Sequence, residues 1–194
     1  MLRCVLNDIK YDGSIYFTDK NNDIVKKIRY GYVPQKLEFD KSSPFTAADY
    51  ITASISPKPV FWGFSFNEQS KANEALYKTG ISHIVSKRLG ELSNGEMQRL
   101  LLAIAIIPLP DILILDALDF AADKAAMDDF HKLIYGLAKA DHVAVIVVSD
   151  AFDTLLEYSD SVILLDNKSI VAQKSPGALF KSDEFLRIYG KRDI

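Results

Sequence analysis

The sequence has little cysteine and no apolar run that could cross a membrane. Its one cysteine, Cys4, excludes a disulfide within the chain and favours a cytosolic protein. The longest apolar run, Leu100 to Leu109, contains a proline and is about half the length that spans a bilayer. The N-terminus lacks the long apolar core and small-residue cleavage site of a signal peptide. We therefore expect any membrane association to come through a partner.

The chain also lacks a strong charge imbalance and a metal-ligand cluster. Its formal net charge is −3 at pH 7, so we expect no sequence-independent nucleic-acid binding. The spacings of His83, His131 and His142 match no zinc pattern, which predicts structural or solvated roles. Hydrophobic residues make up 48% and charged residues 25%, which is typical of a folded globular protein.

Apolar strands and helices alternate in the second half of the chain. Continuous apolar stretches predict two buried strands and a third that starts a hairpin, "DILILD", "HVAVIVVSD" and "SVILLD". Helical patterns fall between and before these strands, over Gly95–Ile107, Lys124–Ala140 and Ala151–Tyr158. The alternation predicts an α/β domain with a mostly parallel sheet.

The first half of the chain has a different pattern. "SIYFT" (Ser14–Thr18) predicts a short strand, and "IRYGYVPQ" (Ile28–Gln35) predicts a strand that ends at Pro34. A helix is expected after Ser42 or Ser43 as its cap, with Phe45, Ala48 and Ile51 on one face.

The stretch 44–89 has helical signals but no buried strand. A second helix is expected over Glu68–Gly80. The aromatic "PKPVFWGFSF" (Pro57–Phe66) predicts either a packed subdomain core or an exposed docking patch. We therefore expect a helical subdomain over 44–89, inserted in an α/β core of 1–43 and 90–194.

Five motifs occur in an order and spacing that resemble the ATP-binding subunit of an ABC transporter. They are "YVPQ" (Tyr32–Gln35) as the Q-loop, "LSNGEMQR" (Leu92–Arg99) as the signature, "ILILD" (Ile112–Asp116) as Walker B, "FAAD" (Phe120–Asp123) as the D-loop, and "VVSD" (Val147–Asp150) at the switch-histidine position. The C-terminal "YSDSVILLDNKSIVAQKSPGALF" is also similar to that family. The resemblance extends from Leu2 to about Phe180 and implies a P-loop NTPase-like fold.

The resemblance implies ATP and Mg²⁺ as cofactors and assigns site residues. In the family, ATP lies between the Walker A loop of one subunit and the signature of the other. Here that signature would supply Ser93, Asn94, Gly95 and Glu96 to a second nucleotide-binding subunit, although Ser93 and Gly95 also suit an ordinary helix start. The remaining assignments are Gln35 in the Q-loop, Asp123 in the D-loop and Asp116 as the magnesium ligand.

The following stretch, "KLEFDKSSPF" (Lys36–Phe45), would dock a membrane-spanning subunit. Gln35 would link the nucleotide to that subunit, unless it is a solvated loop residue. The implied location is the cytoplasm, at the inner face of the cell membrane through the partner.

The sequence departs from the family at the positions that perform hydrolysis. It contains no G-x-x-x-x-G-K-[ST] loop, whose amides and lysine hold the phosphates. The chain is expected to begin late for its family, without the first strands. Ala117 stands where the family has the glutamate that activates water, and Ser149 stands where it has the switch histidine.

The retained and lost motifs together predict an ABC-type subunit that does not hydrolyse ATP by itself but supplies its signature to a partner's ATP. Two alternatives stay open. The chain could be a non-enzymatic regulatory or vestigial interaction protein, or a fragment of a longer ATP-binding subunit. The glutamate in "LSNGE" is similar to the signature of metal-ion importers, but it does not identify a transported substrate.

Overall fold

Helices and strands alternate through the described part of the chain. The computed structural model describes residues 1–19, 21–35, 42–56, 65–117 and 124–190. The helices are α1 (Leu2–Val5), α2 (Ala47–Ile55), α3 (Phe66–Lys78), α4 (Asn94–Ala105), α5 (Lys124–Ala140), α6 (Phe152–Tyr158), α7 (Pro176–Leu179) and α8 (Asp183–Tyr189). The strands are β1 (Tyr30–Val33), β2 (Ile112–Leu115), β3 (Ala144–Val147), β4 (Val162–Asp166) and β5 (Ser169–Lys174).

Strands β1, β2 and β3 form a parallel sheet with β2 in the centre. Tyr30 pairs with Ile112, which in turn pairs with Ala144, so the three strands end at the same edge. Every residue of β2 is buried, as a strand covered on both faces requires. The predicted strand in "DILILD" is therefore confirmed.

Strand β3 is less buried than its sequence predicts. Ala144 is exposed and the next three residues are only half-buried. The reason is its position, because among the described residues β3 pairs with β2 alone and forms the edge of the sheet. An apolar run predicts burial without specifying how many neighbours the strand has.

Strands β4 and β5 form a separate antiparallel hairpin. The predicted hairpin of "SVILLD" with "NKSIVAQKS" is confirmed, with Asn167 and Lys168 at positive φ in its turn. Only Leu164 of β4 is buried, so this strand lines the hairpin sheet and is not a member of the described parallel sheet.

The prediction of a strand over Ser14–Thr18 is wrong. This segment makes a single antiparallel bridge, between Thr18 and Ile24. The Asp19 carboxylate accepts hydrogen bonds from the Asn21 and Asp23 amides and closes a tight turn. Without a longer ladder to join, Tyr16 remains 68% exposed.

The predicted start of helix α2 is also wrong. Thr46 caps this helix in place of Ser42 or Ser43, because its side chain and Asp49 form a reciprocal capping box. The buried face consequently holds Ala47, Ile51 and Thr52, while Phe45 is 57% exposed. The predicted helices at α3, α4, α5 and α6 are confirmed, and α5 has the predicted bounds.

Strand β1 and helix α4 approach each other closely at Gly31. A Cβ atom at this position would collide with the carbonyl oxygen of Ala105. Glycine therefore sets the distance between the strand that leads into the Q-loop and the helix that begins at the signature.

Two hydrophobic clusters hold the described structure together. The larger joins the parallel sheet to α2, α3, α4 and α5, with Leu100, Leu113 and Phe130 fully buried. The smaller lies under the β4–β5 hairpin, around Leu179 and Phe185. A groove of about 690 Å³ is lined by both β3 and β4.

Residues 44–89 are helical where the structure describes them, over 44–56 and 65–89. Their buried side chains belong to the same cluster as α4, and the division into a core and a subdomain stays a prediction. The aromatic stretch 57–64 and most of the expected docking loop, 36–41, lie outside the described residues. No helix among the described residues is long and apolar enough to cross a membrane.

Candidate functional site

The signature residues form the beginning of helix α4. Ser93 is the N-cap, and its hydroxyl oxygen accepts a hydrogen bond from the Glu96 amide at 3.2 Å. The Glu96 carboxylate accepts one from the Ser93 amide at 2.9 Å. This capping box satisfies both local amides and fixes the direction in which the helix leaves the loop.

Two basic side chains converge on Glu96. Lys87 Nζ lies 2.8 Å from Glu96 Oε1, and His83 Nε2 lies 3.6 Å from the same oxygen. The hydrogen bond from Lys87 is the main reason that the pKa of Glu96 is lowered to about 2, followed by the bond from the Ser93 amide. Glu96 therefore carries a negative charge at neutral pH, and Lys87 balances it.

The outer surface of the signature is open to an approaching group. Ser93 and Asn94 are exposed, and a Cβ added at Gly95 would meet nothing within 4 Å. Asn94 lies in the right-handed helix, so it does not need the left-handed conformation that asparagine tolerates. Exposed amides at the N-terminus of a 12-residue helix form a surface that suits an anion.

Gln98 connects the signature helix to the end of β1. This residue is only 5% exposed, and its side-chain amide donates to the Gln35 carbonyl oxygen at 3.4 Å. Gln98 Oε1 has no hydrogen-bond partner within the described part of the chain. The Gln35 side chain is exposed, and only its backbone is held by this contact.

Asp116 lies immediately after the central strand β2. Its carboxylate accepts a hydrogen bond from the Tyr32 hydroxyl at 3.1 Å. Burial raises the pKa of Tyr32, and this hydrogen bond raises it further. The phenol thus stays protonated and occupies one oxygen of the carboxylate that the resemblance assigns to magnesium.

The two substituted catalytic positions serve the backbone. Ala117 has a φ of +44°, a left-handed conformation that is unusual for alanine. The Ser149 hydroxyl oxygen accepts a hydrogen bond from the Ala151 amide at 3.1 Å, just before α6. A methyl group cannot accept a proton, and the Ser149 oxygen is already engaged.

Gln35, Asp116 and Ser149 follow β1, β2 and β3 and lie at one edge of the parallel sheet. The signature begins a separate element, α4, and Asp123 lies outside the described residues. Sequence reasoning missed Tyr32 and Lys87 as contacts of site residues. The alternation of β1 could have placed Tyr32 on one face of its strand, but no sequence signal pairs Lys87 with Glu96.

The described residues do not complete a site for MgATP. Mg²⁺ is usually held by one or two carboxylates together with substrate phosphates. Asp116 supplies one carboxylate, and no group of three or more His, Cys, Asp or Glu side chains converges in the described structure. The sequence contains no loop that would hold the phosphates beside Asp116. No hydrolytic step follows from these residues alone.

The fold and the order of its motifs define a nucleotide-binding cassette. The family model described as ABC transporter matches residues 1–118, which is more than half of the chain. The chain therefore belongs to the ABC transporter family and has the fold of its nucleotide-binding domain. The predicted family and the P-loop NTPase-like fold class are confirmed.

Relatives of the chain include proteins named for zinc import. The zinc import ATP-binding protein ZnuC of Paramagnetospirillum magneticum is 29% identical over 162 residues, covering 84% of this chain and 58% of that protein. ZnuC of Buchnera aphidicola is 30% identical over 191 residues, covering 98% of this chain and 73% of that protein. The chain thus spans 58% and 73% of the length of these two relatives.

A solved structure of a metal-chelate type ABC transporter, in an inward-facing conformation, has the same fold. It superposes with a TM-score of 0.77 at 19% sequence identity, covering 96% of this chain and 71% of that chain. At this identity the likeness establishes the fold and leaves the chemistry to the site residues.

Proposed function

We propose that this chain is an ABC transporter ATP-binding subunit that does not hydrolyse ATP by itself and supplies its signature to the ATP of a second subunit. Ser93, Asn94, Gly95 and Glu96 form the contributed surface. The observation that carries the proposal is the start of α4, where a satisfied capping box leaves Ser93 and Asn94 exposed.

The state of the other motifs supports the same division. Ala117 offers no general base, and the Ser149 oxygen accepts from a backbone amide. Three parts of a hydrolytic site are absent together, counting the phosphate loop, and each such loss lowers a rate by orders of magnitude. Turnover therefore depends on a partner that carries a complete phosphate loop, a base and the bound Mg²⁺.

The transporter setting follows from the family. We propose that the chain lies in the cytoplasm against a membrane-spanning subunit, docked through residues 36–45, with Asp123 and Gln35 acting between the subunits. The names of the relatives support a metal ion, zinc in the first instance, as the transported substrate. Nothing in the described site contacts that cargo.

A complementation assay tests the contribution of the signature. The partner is Buchnera aphidicola ZnuC in which the signature serine has been replaced by arginine, so that its own dimers cannot close on ATP. We expect the wild-type chain to restore ATP hydrolysis to this partner, because each mixed dimer has one phosphate loop facing one intact signature. The measurement is phosphate release with increasing amounts of the chain.

The matched variants are Ser93→Arg and Ser65→Arg. Both remove a serine N-cap whose hydroxyl oxygen accepts from the amide of a glutamate three residues on, but Ser65 begins α3 and is not part of the signature. Ser93→Arg should abolish the restored turnover, and Ser65→Arg should retain it. The proposal is rejected if the wild-type chain restores no turnover or if Ser93→Arg restores it equally well. Either result would favour a regulatory binding protein.

A further inference from the structure

Helices α2 and α3 begin with capping boxes in which the cap hydroxyl donates its hydrogen. In α2, Thr46 Oγ1 donates to Asp49 Oδ2 at 2.7 Å, and the Thr46 amide donates to the same oxygen. In α3, Ser65 Oγ donates to Glu68 Oε2 at 2.7 Å, again beside the cap amide. The carboxylate three residues on thus takes both hydrogens of the cap residue.

The signature box at α4 differs in this one bond. Glu96 Oε2 accepts from the Ser93 amide at 2.9 Å, but the Ser93 hydroxyl donates to no acceptor within the described residues. Its smaller role is also visible in the pKa of Glu96, for which the Ser93 side chain is the least of the lowering causes. The hydroxyl hydrogen of Ser93 is therefore available to a ligand.

Lys87 accounts for the difference. Its ammonium group lies 2.8 Å from Glu96 Oε1, while Asp49 in the α2 box has no ion pair among the described residues. A carboxylate that is held at one oxygen by a cation and at the other by the cap amide cannot also turn toward the hydroxyl. The second cationic group near this carboxylate is His83, at 3.6 Å and charged only when protonated.

The backbone of Lys87 is fixed from both sides. Its carbonyl oxygen accepts from the Ala47 amide at the start of α2, and its own amide donates to the Ile84 carbonyl oxygen, each at 2.9 Å. Thr46 and Arg88 form an antiparallel bridge next to these bonds. Lys87 therefore reaches Glu96 from a stable position in the segment that joins the helical region to the signature.

We propose that Lys87 is a positioning residue for the signature: it holds Glu96 so that the Ser93 hydroxyl can donate to a phosphate oxygen of the partner's ATP. The inference rests on the proposed function and goes beyond it by assigning a residue outside the signature. Lys87 also balances the Glu96 charge, which would otherwise repel a phosphate placed against the same helix start.

The complementation assay separates this role from a general structural one. The variants are Lys87→Met, Lys87→Arg, Ser93→Ala, and the double variant Lys87→Met with Ser93→Ala. Lys87→Met should lower the restored kcat about fivefold to tenfold, the loss expected for one hydrogen bond, with a smaller change in KM for MgATP. Lys87→Arg should recover the rate to within about twofold, because arginine keeps the cation.

The decisive comparison is the double variant. If Lys87 acts through Ser93, the double variant has the same rate as Ser93→Ala alone. Multiplied losses would overturn the positioning role, as would a Lys87→Met rate equal to wild type. The matched control is Lys174→Met, which breaks a comparable half-exposed pair with Glu184 at 3.1 Å in the β5–α8 region and should leave the rate unchanged.

The outcomes distinguish the inference from the proposed function. A normal rate with Ser93→Ala would overturn the trans contribution of Ser93, and with it both proposals. A reduced rate with Ser93→Ala and a normal rate with Lys87→Met would overturn only the role of Lys87.

Thermal unfolding of the chain alone gives a check that needs no partner. In the Lys87→Met background, Glu96 can turn to accept from the Ser93 hydroxyl, as Glu68 does from Ser65. Ser93→Ala should then lower the unfolding midpoint more in this background than in the wild-type chain. Equal shifts in both backgrounds would contradict the proposed arrangement.

Discussion

The start of helix α4 and the sheet edge that follows β1, β2 and β3 correspond to the two nucleotide-facing parts of an ABC cassette, and their polar groups are used differently. At α4, the local bonds leave an exposed hydroxyl and helix amides facing outward. At the sheet edge, Asp116 is bonded to Tyr32 and Ser149 accepts from a backbone amide. The comparison teaches that one region is arranged for a ligand and the other for the fold.

The electrostatic balance of the two regions supports this distinction. Glu96 is neutralised by Lys87 and lies at a helix N-terminus, where the backbone also favours negative charge. Asp116 receives a neutral phenol and has no salt bridge among the described residues. An incoming phosphate therefore meets a balanced surface at α4 and an uncompensated carboxylate at the sheet edge.

The largest expected effect comes from disrupting the contact that keeps these two regions in place. Gly31→Ala would push β1 away from the Ala105 carbonyl oxygen, so we expect a loss of about 3 kcal/mol or more in the free energy of unfolding. Denaturant unfolding measures this loss. The control is Gly136→Ala in α5, where an added Cβ meets nothing within 4 Å and helix propensity should raise stability. Equal effects of the two substitutions would contradict the close contact.

A second prediction concerns the charge at the signature. The pKa of Glu96 in the folded chain is about 2, below its ordinary value of 4.5, so its ionised form stabilises the fold above pH 4.5 and this contribution is lost as the pH falls toward 2. Glu96→Gln should lower stability at pH 7 by about 1 kcal/mol and flatten the acid limb of the stability curve.

Unfolding midpoints measured from pH 7 to pH 2 check this prediction. The control is Glu74→Gln, which removes an exposed partner of Lys78 in an i,i+4 pair and should change the curve little. An acid limb in Glu96→Gln as steep as that of the wild-type chain would contradict the assignment of the charge to the signature box.

The smallest effect is expected at the sheet edge and has the opposite sign. Ala117 is in the left-handed region, so Ala117→Gly should relieve strain and raise stability by about 0.5–1 kcal/mol after the entropy cost of glycine. Ala151→Gly is the control, because Ala151 has a φ of −80° and should only lose stability. Thermal unfolding of both variants would show the expected opposite shifts, and a loss at both positions would contradict the strain.

The sequence predicted the elements whose stability is local or whose pattern is unambiguous. Four buried apolar residues between aspartates predicted β2, and helical periodicity predicted the bounds of α5. The motif order predicted the family and the fold class. These signals depend on neighbouring residues and on burial, which the order of residues records directly.

The failures concern contacts that depend on distant or unspecified partners. Ser14–Thr18 has the alternation of a strand, but a strand also needs a ladder, and the described chain supplies one bridge. The bond between Tyr32 and Asp116 joins residues 84 positions apart. The pairing of Lys87 with Glu96 depends on how the segment before the signature docks on α2, which no local pattern specifies.

The groove between β3 and β4 has a consequence for how the chain opens. It separates the large cluster around the sheet from the small cluster under the hairpin, and Val148, Ile163 and Leu165 along it are 40–49% exposed. Cooperative units meet where few buried contacts cross. The β4–β5 hairpin with α7 and α8 can therefore unfold sub-globally while the unit that contains the signature helix stays native, so that loss of the C-terminal part and loss of the signature are separate events.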